Sequence, residues 1–456
     1  MTDTLAATDS AEDTLEELNT WLEDNWDPDL TVAQWWELLG LAGWAAPTLP
    51  TNAYGKGVAR SVGVRIQKDI AAFGALGAPA GLGLLLAAPT IADHGTQEQI
   101  DTMVRDIVTG QRAWCQLFSE PGAGSDLAGL TCRAVKDGDE WIVTGQKVWT
   151  SLGQTADMGM LIARTDPDLP KHQGITYFGI EMQQPGIEVR PLREMTGHAM
   201  FNETFLDEAR VADANIIGAL NNGWAVANST LGHERAGLGA GGAGGGVGGA
   251  TPGQIAGNLA MRAGDFASGK AKKAVASAAS AVAEAADAAP KPAKKKNDAG
   301  SAAMLVGMAK HYGCIDDPIV RQGLVELYTL GEIGRYTAER SKAARAAGKD
   351  IPGVGNISKL GMSNIMRLQR DLGLHIVGAA GMLHAYEGDA QKVLNEATGN
   401  PFLTAVTTTA LYAQAPPIYG GTDQIQRNII GERVLGLPKE PGDNKNVPFS
   451  DLPKNA

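Results

Sequence analysis

Residues 141–165 read WIVTGQKVWTSLGQTADMGMLIART, and much of this stretch alternates apolar with polar positions. A period of two belongs to strands with one buried face. The same reading extends through ITYFGIEM (175–182) and ETFLDEARV (203–211), with Gly, Asp and Pro turns between the runs. Most neighbouring strands are separated by too little sequence for a helix. An antiparallel sheet or small barrel is therefore expected, rather than alternating strands and helices.

Outward from this centre the period lengthens. LEELNTWLEDNW (15–26), TVAQWWELLGLAGW (31–44) and TQEQIDTMVRDIVTG (96–110) space apolar residues three and four apart, and Thr96 is placed to cap the last of them. Downstream, GWAVANSTLGHERAGL (223–238), residues 316–348 and residues 358–381 read as long amphipathic helices. The fold class expected is α+β multidomain. A helical domain spans 1–111, a central antiparallel β domain 112–220, a C-terminal helical bundle 221–440 and a tail 441–456.

A Gly/Ala/Lys-rich insertion around 236–300 interrupts the bundle. Residues 236–250 are only Gly, Ala, Leu and Val, and residues 289–298 read APKPAKKKND, as a solvated linker would. Lys294, Lys295 and Lys296 read as linker charge rather than as a phosphate site. Gly239, Gly241 and Gly244 match G-x-G-x-x-G, with Asp265 beyond, but a helical pattern precedes them where a dinucleotide fold needs a strand.

Composition narrows the class. Of 456 residues 44% are hydrophobic and nine are tryptophan, enough for globular cores. A net charge of −12 argues against nucleic acid or an anionic membrane as the main partner. Cys115, Cys132 and Cys314 lack metal-ligand spacing, so a reduced thiol set and no metal are expected. The start, MTDTLAATDSAEDTLEELN, is acidic and unlike a signal peptide, and the apolar run 77–92 is short and glycine-rich for a membrane span. A cytoplasmic protein is expected.

Two stretches could carry chemistry. In QLFSEPGAGSDLAGL (116–130) a Pro-Gly and a Gly-Ser element can present N–H groups and the Ser119 and Ser125 hydroxyls to a phosphate or a polar ring edge; the alternative is a plain turn. In GQKVWTSLG (145–153) Trp149 suits a planar stacking partner, or else it is an ordinary core tryptophan. A third, APPIYGGTDQIQR (415–427), has a turn in which Thr422 can cap the following helix and backbone amides can approach a ligand.

EPGAGSD, GQKVWTS, NETFLDEARVADANIIG (202–218) and IYGGTDQIQRNIIGERVLGLP (418–438) occur in that order. In this the chain resembles the acyl-CoA dehydrogenase family across nearly its whole length. The resemblance implies FAD between the β domain and the bundle, with Phe118 and Ser119 against the flavin ring and Ser125 serving cofactor and substrate. It also implies Trp149 and Ser151 near the isoalloxazine, completed by Thr422 and Gln424. The reaction implied is α,β-dehydrogenation of an acyl-CoA thioester: a base removes the α-proton while the β-hydrogen leaves as hydride to flavin N5.

Many family members place the catalytic glutamate directly after the tyrosine of the IYxGT stretch, where this chain has Gly420. A subset carries it on an early helix of the C-terminal domain, just before an arginine, and LGHERAGLG puts Glu234 before Arg235 there. By itself a Glu-Arg neighbour pair is more often a surface ion pair. The missing acid at 420 and the present acid at 234 together make Glu234 the base, with Arg235 and Gly420 on the substrate side and the Gly420 N–H directed at the thioester oxygen. A glycine at 420 also leaves room for a branched, long or polycyclic acyl group.

Homotetrameric members complete each FAD site from a second subunit through Arg-x-x-Phe-Gly and Gln-x-x-Gly-Gly. The nearest matches are AKHYG (309–313) and HIVGAAG (375–381), with Ala309 for the arginine, Tyr312 for the phenylalanine, His375 for the glutamine and Ala379 for a glycine. Lys310 would be a point charge without the bidentate fork. A two-plus-two heterotetramer with a paralogous subunit, as in actinobacterial steroid and branched-acyl catabolism, is expected over a homotetramer. Electron-transferring flavoprotein is the acceptor implied by the resemblance. The alternatives are a structural subunit without catalysis and an oxidase.

Overall fold

The computed structural model describes residues 2–238, 249–267, 302–349, 351–439 and 446–453. The chain divides into two compact units. The first comprises Met1–Leu192, Ala199–Ser280 and Asp443–Ala456; the second comprises Arg193–His198 and Ala281–Gly442.

In the first unit, helices Thr2–Asn25, Val32–Leu41 and Arg60–Phe73 bury Leu18, Leu22, Trp35, Trp36, Trp44, Ile66 and Ile70 completely. Trp35 and Trp36 give their indole N–H groups to the carbonyls of Leu76 and Gly77 at 2.7 and 2.8 Å, so their burial strands no donor. Thr31 with Gln34, and Thr96 with Gln99, form capping boxes that fix two helix starts.

Among the described residues seven strands follow: β1 Trp114–Leu117, β2 Arg133–Asp137, β3 Glu140–Ser151, β4 Met158–Arg164, β5 Ile175–Glu181, β6 Ile187–Leu192 and β7 Phe201–Ala212. They lie in the order β1-β4-β2-β3-β7-β6, with β5 on β4. Four of the six pairings are antiparallel. β1 and β2 each run parallel to β4, because the β2–β3 hairpin intervenes before the chain returns beside β1.

Alternation along the strands separates two cores. Trp114, Phe118, Met160, Ile162 and Tyr177 pack into the helical core, whereas Cys115, Leu117, Val143, Leu161 and Phe178 form a second cluster on the other face. The helix Gly223–Leu238 closes over the first face. Its Ser229 bonds His94 at 2.7 Å, and its Thr230 bonds Thr90 at 3.0 Å and Tyr177 at 3.3 Å.

The second unit is helical. Ala303–His311, Pro318–Ala346, Val354–Val377 and Leu403–Tyr412 bury Leu305, Met308, Ala309, Leu327, Leu372 and Leu403. Asp317 caps the 29-residue helix with Pro318 in its first turn.

Residues 446–453, read from the sequence as part of a tail, lie against the β4–β5 connection: Phe449 and Ser450 donate their N–H groups to Leu169 and Pro167. The glycines Gly239, Gly241 and Gly244 and the lysines Lys294, Lys295 and Lys296 lie outside the described residues, as does most of the 236–300 insertion. Among the described residues no helix is long and apolar enough to cross a membrane, and no group of three His, Cys, Asp or Glu is placed to hold a metal. All three cysteines are unpaired, and burial pushes the Cys115 thiol up to about 12.

Candidate functional site

The loop 118–130 and strand β3 are joined by a buried ion pair. Lys147 is fully buried; its ammonium donates to a Glu120 carboxylate oxygen at 2.9 Å and to the Phe118 carbonyl at 3.1 Å. Glu120 also accepts from Thr131 N at 2.7 Å, Thr131 Oγ1 at 2.9 Å and Cys132 N at 3.0 Å. Burial alone would raise its pKa, but the Lys147 charge and these donors outweigh that and hold it below the usual carboxylate value. Glu120 and Ala123 exchange backbone bonds at 3.0 and 3.1 Å, closing the turn that precedes Ser125. Val148 donates to the Ser119 carbonyl at 2.9 Å. The two motifs are thus one object, joined by groups that the sequence did not single out.

Trp149 is no core tryptophan. It is 55% exposed and its φ is +63°, in a register irregularity of the β3–β7 pairing between Lys147 and Thr150. A left-handed conformation on a bulky residue costs on the order of 1–3 kcal/mol and persists where the surroundings impose it. Those surroundings come from β7, where the stretch 202–218 begins: Asn202 donates to the Thr150 carbonyl at 2.9 Å and to Gln154 at 2.6 Å, and Phe201 meets the indole edge-on at 5.8 Å. The bulge turns an aromatic face outward. Close by in the chain, the Ser119, Ser125 and Ser151 hydroxyls have no hydrogen-bond partner among the described residues.

Glu234 is half-buried on the Gly223–Leu238 helix. It lies one turn beyond Thr230, on the face that carries Val226 and Ala227, both fully buried. Thr230 reaches the Tyr177 hydroxyl, and the Tyr177 ring meets Phe118 edge-on at 5.9 Å. The helix thus meets the strand surface that holds Tyr177 and Phe118 through Thr230. On the neighbouring face, His233 bonds Asp93 at 3.0 Å. The Arg235 side chain lies outside the described residues.

In the second unit, Gly420 and Gly421 adopt φ of +61° and +78°. Thr422 caps Asp423–Ile429, its hydroxyl accepting from Ile425 N at 3.2 Å. Gln426 donates to the Gly420 carbonyl at 2.8 Å and accepts from Asn356 at 2.6 Å. Asp423, which is 2% exposed, accepts from Lys359, Ser363 and Arg367 at 2.9, 2.8 and 2.6 Å. The turn is held by its carbonyls and the helix start, while the Gly420 N–H has no acceptor among the described residues. Gln424 is exposed. Ala309 is fully buried in this unit's core, so position 309 presents no polar group; Lys310, beside it, and His375 are exposed.

The chain matches known proteins along both units. Residues 115–208 match the acyl-CoA dehydrogenase middle domain, and residues 299–435 the acyl-CoA dehydrogenase C-terminal domain. Acyl-CoA dehydrogenase IpdE1 of Mycolicibacterium smegmatis is 30% identical over 417 residues, covering 89% of this chain and 88% of IpdE1. Acyl-CoA dehydrogenase FadE34 of Mycobacterium tuberculosis is 49% identical over 198 residues, 43% of this chain but only 27% of FadE34. Among solved structures, the ChsE4-ChsE5 complex from Mycobacterium tuberculosis superposes with a TM-score of 0.58 at 26% identity, covering 90% of each chain.

Proposed function

The chain belongs to the acyl-CoA dehydrogenase family, and from that premise we propose that it dehydrogenates a bulky, branched or ring-bearing acyl-CoA with Glu234 as the base. Members of this family are FAD-dependent flavoproteins. FAD, when bound, supplies the acceptor for the hydride leaving the β-carbon. The ring-side residues fit such a group: Trp149 offers an exposed aromatic face, Phe118 is buried against Tyr177, and the hydroxyls of Ser119, Ser125 and Ser151 have no hydrogen-bond partner among the described residues. Thr422 and Gln424 are assigned the remaining contacts.

The observation that supports the reading is that Glu234 is half-buried and lies one helical turn beyond Thr230, whose hydroxyl reaches Tyr177. In this reading the Glu234 carboxylate takes the α-proton of the thioester. The Gly420 N–H, with no acceptor among the described residues, is assigned the thioester oxygen, where it stabilises the charge that develops as the proton leaves. A Cβ built at Gly420 meets nothing within 4 Å, which supports a large acyl group.

The buried Ala309 supports a heteromer. Without a cation at that position, a paralogous subunit would supply the pyrophosphate arginine in a two-plus-two assembly. A cytoplasmic location and electron-transferring flavoprotein as acceptor belong to the same reading.

The test is Glu234→Gln, produced with and without candidate paralogues and mixed anaerobically with a panel of linear, branched and ring-bearing acyl-CoAs. Flavin content should be unchanged and bleaching slowed at least ~100-fold, the scale of one general base. Undiminished bleaching would remove Glu234 from the mechanism. Stoichiometric FAD on the chain alone would remove the heteromer.

A further inference from the structure

Arg164, at the end of β4, is 4% exposed and has no carboxylate partner among the described residues. Its guanidinium donates to the carbonyls of Ala128 at 2.7 Å, Leu130 at 3.4 Å and Lys171 at 2.7 Å, while Nε has no partner among the described residues. Two carboxylates influence it through space, but Glu120 is committed to Lys147 and Asp126 accepts from Lys171 at 2.8 Å through both oxygens. What covers this cation is an aromatic ring: the guanidinium carbon sits 3.8 Å from the Phe449 centroid. Burial pushes Arg164 down to about 10, still charged at neutral pH.

Phe449 is itself pinned. Its N–H donates to Leu169 at 3.0 Å, the next N–H donates to Pro167 at 2.9 Å, and Pro448 bridges Pro170. A physical chain thus runs from residues 446–453 through the β4–β5 connection to both ends of the segment 126–130, at Asp126 through Lys171 and at Ala128 and Leu130 through Arg164.

We propose that Phe449 and Arg164 form a clamp that positions the Ser125-bearing loop, so that residues 446–453 set flavin and acyl-CoA affinity without touching either ligand. The inference rests on the ligand role assigned to that loop under Proposed function. Stacking on the ring face compensates a desolvated cation that lacks an ion-pair partner. Loss of the ring favours hydration of Arg164 and release of the Ala128 and Leu130 carbonyls, and the loop that ends there loosens.

The clamp is tested in the full-length protein, in the assembly that binds FAD, with Phe449→Leu, which keeps apolar bulk, and Phe449→Tyr, which keeps the ring. Phe449→Leu should raise the Kd for FAD and the KM for acyl-CoA by about tenfold, leave kcat within about twofold, and speed proteolysis within residues 120–130. Phe449→Tyr should restore wild-type values. Unchanged Kd and KM in Phe449→Leu, or a loss in thermal stability alone, would overturn the clamp. Ser125→Ala separates the two levels of the argument: affinity lost there but kept in Phe449→Leu sinks only the clamp, whereas affinity kept in both sinks the ligand role of the loop as well.

Discussion

Replacing Lys147 with methionine keeps an apolar stem and removes the charge that balances Glu120. Both side chains are nearly inaccessible, at 0% and 4%. In Lys147→Met the carboxylate keeps three donors, Thr131 N, Thr131 Oγ1 and Cys132 N, but loses its counter-charge. Breaking a buried pair from one side typically costs about 3–5 kcal/mol, more than the pair contributes over an apolar isostere, because one ion stays behind. The surviving donors place the expected loss at the lower end, about 3 kcal/mol.

The pH dependence gives the sign. In the wild type Glu120 is held below its unfolded value, so its contribution is fully present above that value and is lost as pH falls through the folded one. In Lys147→Met burial acts without the ammonium and the folded pKa rises, so the variant's deficit should shrink as pH falls toward 5. Adding Glu120→Gln should recover part of the loss, since no buried charge then remains.

Denaturant unfolding followed by tryptophan fluorescence reads the first unit alone, because all nine tryptophans lie at or before residue 224. A loss under about 1 kcal/mol, or an equal loss at pH 5 and pH 8, would refute the claim that this pair joins the two motifs.

Two further outcomes follow from the geometry. Trp149→Gly should relieve the φ of +63° and leave the unit equally stable or up to about 1 kcal/mol more stable, while FAD affinity measured by titration falls several-fold. Asp423→Asn removes a buried charge held by Lys359, Ser363 and Arg367 and should destabilise the helix Asp423–Ile429 by about 2 kcal/mol, read as faster amide exchange there. Burial alone would raise the Asp423 pKa; its three bonds hold it low, so the wild-type helix should keep this protection above the usual carboxylate range and lose it as pH falls below.

What could be read in advance was local. The 223–238 helix spans the quoted stretch, and Thr96 and Thr422 cap the helices they precede, since periodicity and capping act over a few residues. What escaped depends on residues distant in sequence. Lys147 is a charged residue in a strand, yet it is buried because Glu120, twenty-seven residues earlier, pairs with it. Nothing near Trp149 announces a left-handed bulge, which Asn202 imposes from β7. The β1–β4 parallel pairing and the contact of Phe449 with Arg164 were hidden for the same reason.

The turn at 420 bears on where an acid can stand. Gly420 and Gly421 both have positive φ, a conformation that a glutamate adopts only at a cost on the order of 1–3 kcal/mol. Gln426 binds the Gly420 carbonyl and is itself fixed by Asn356, so the turn is braced in this shape from within its own unit. Bracing the carbonyl leaves the N–H as the group on offer, and a backbone donor placed this way suits an oxygen that gains charge during reaction. The backbone at 420 therefore favours a donor over a base. A dehydrogenation that needs one carboxylate must draw it from another position, and the half-buried Glu234, one helical turn beyond Thr230, is the residue we assign to that role.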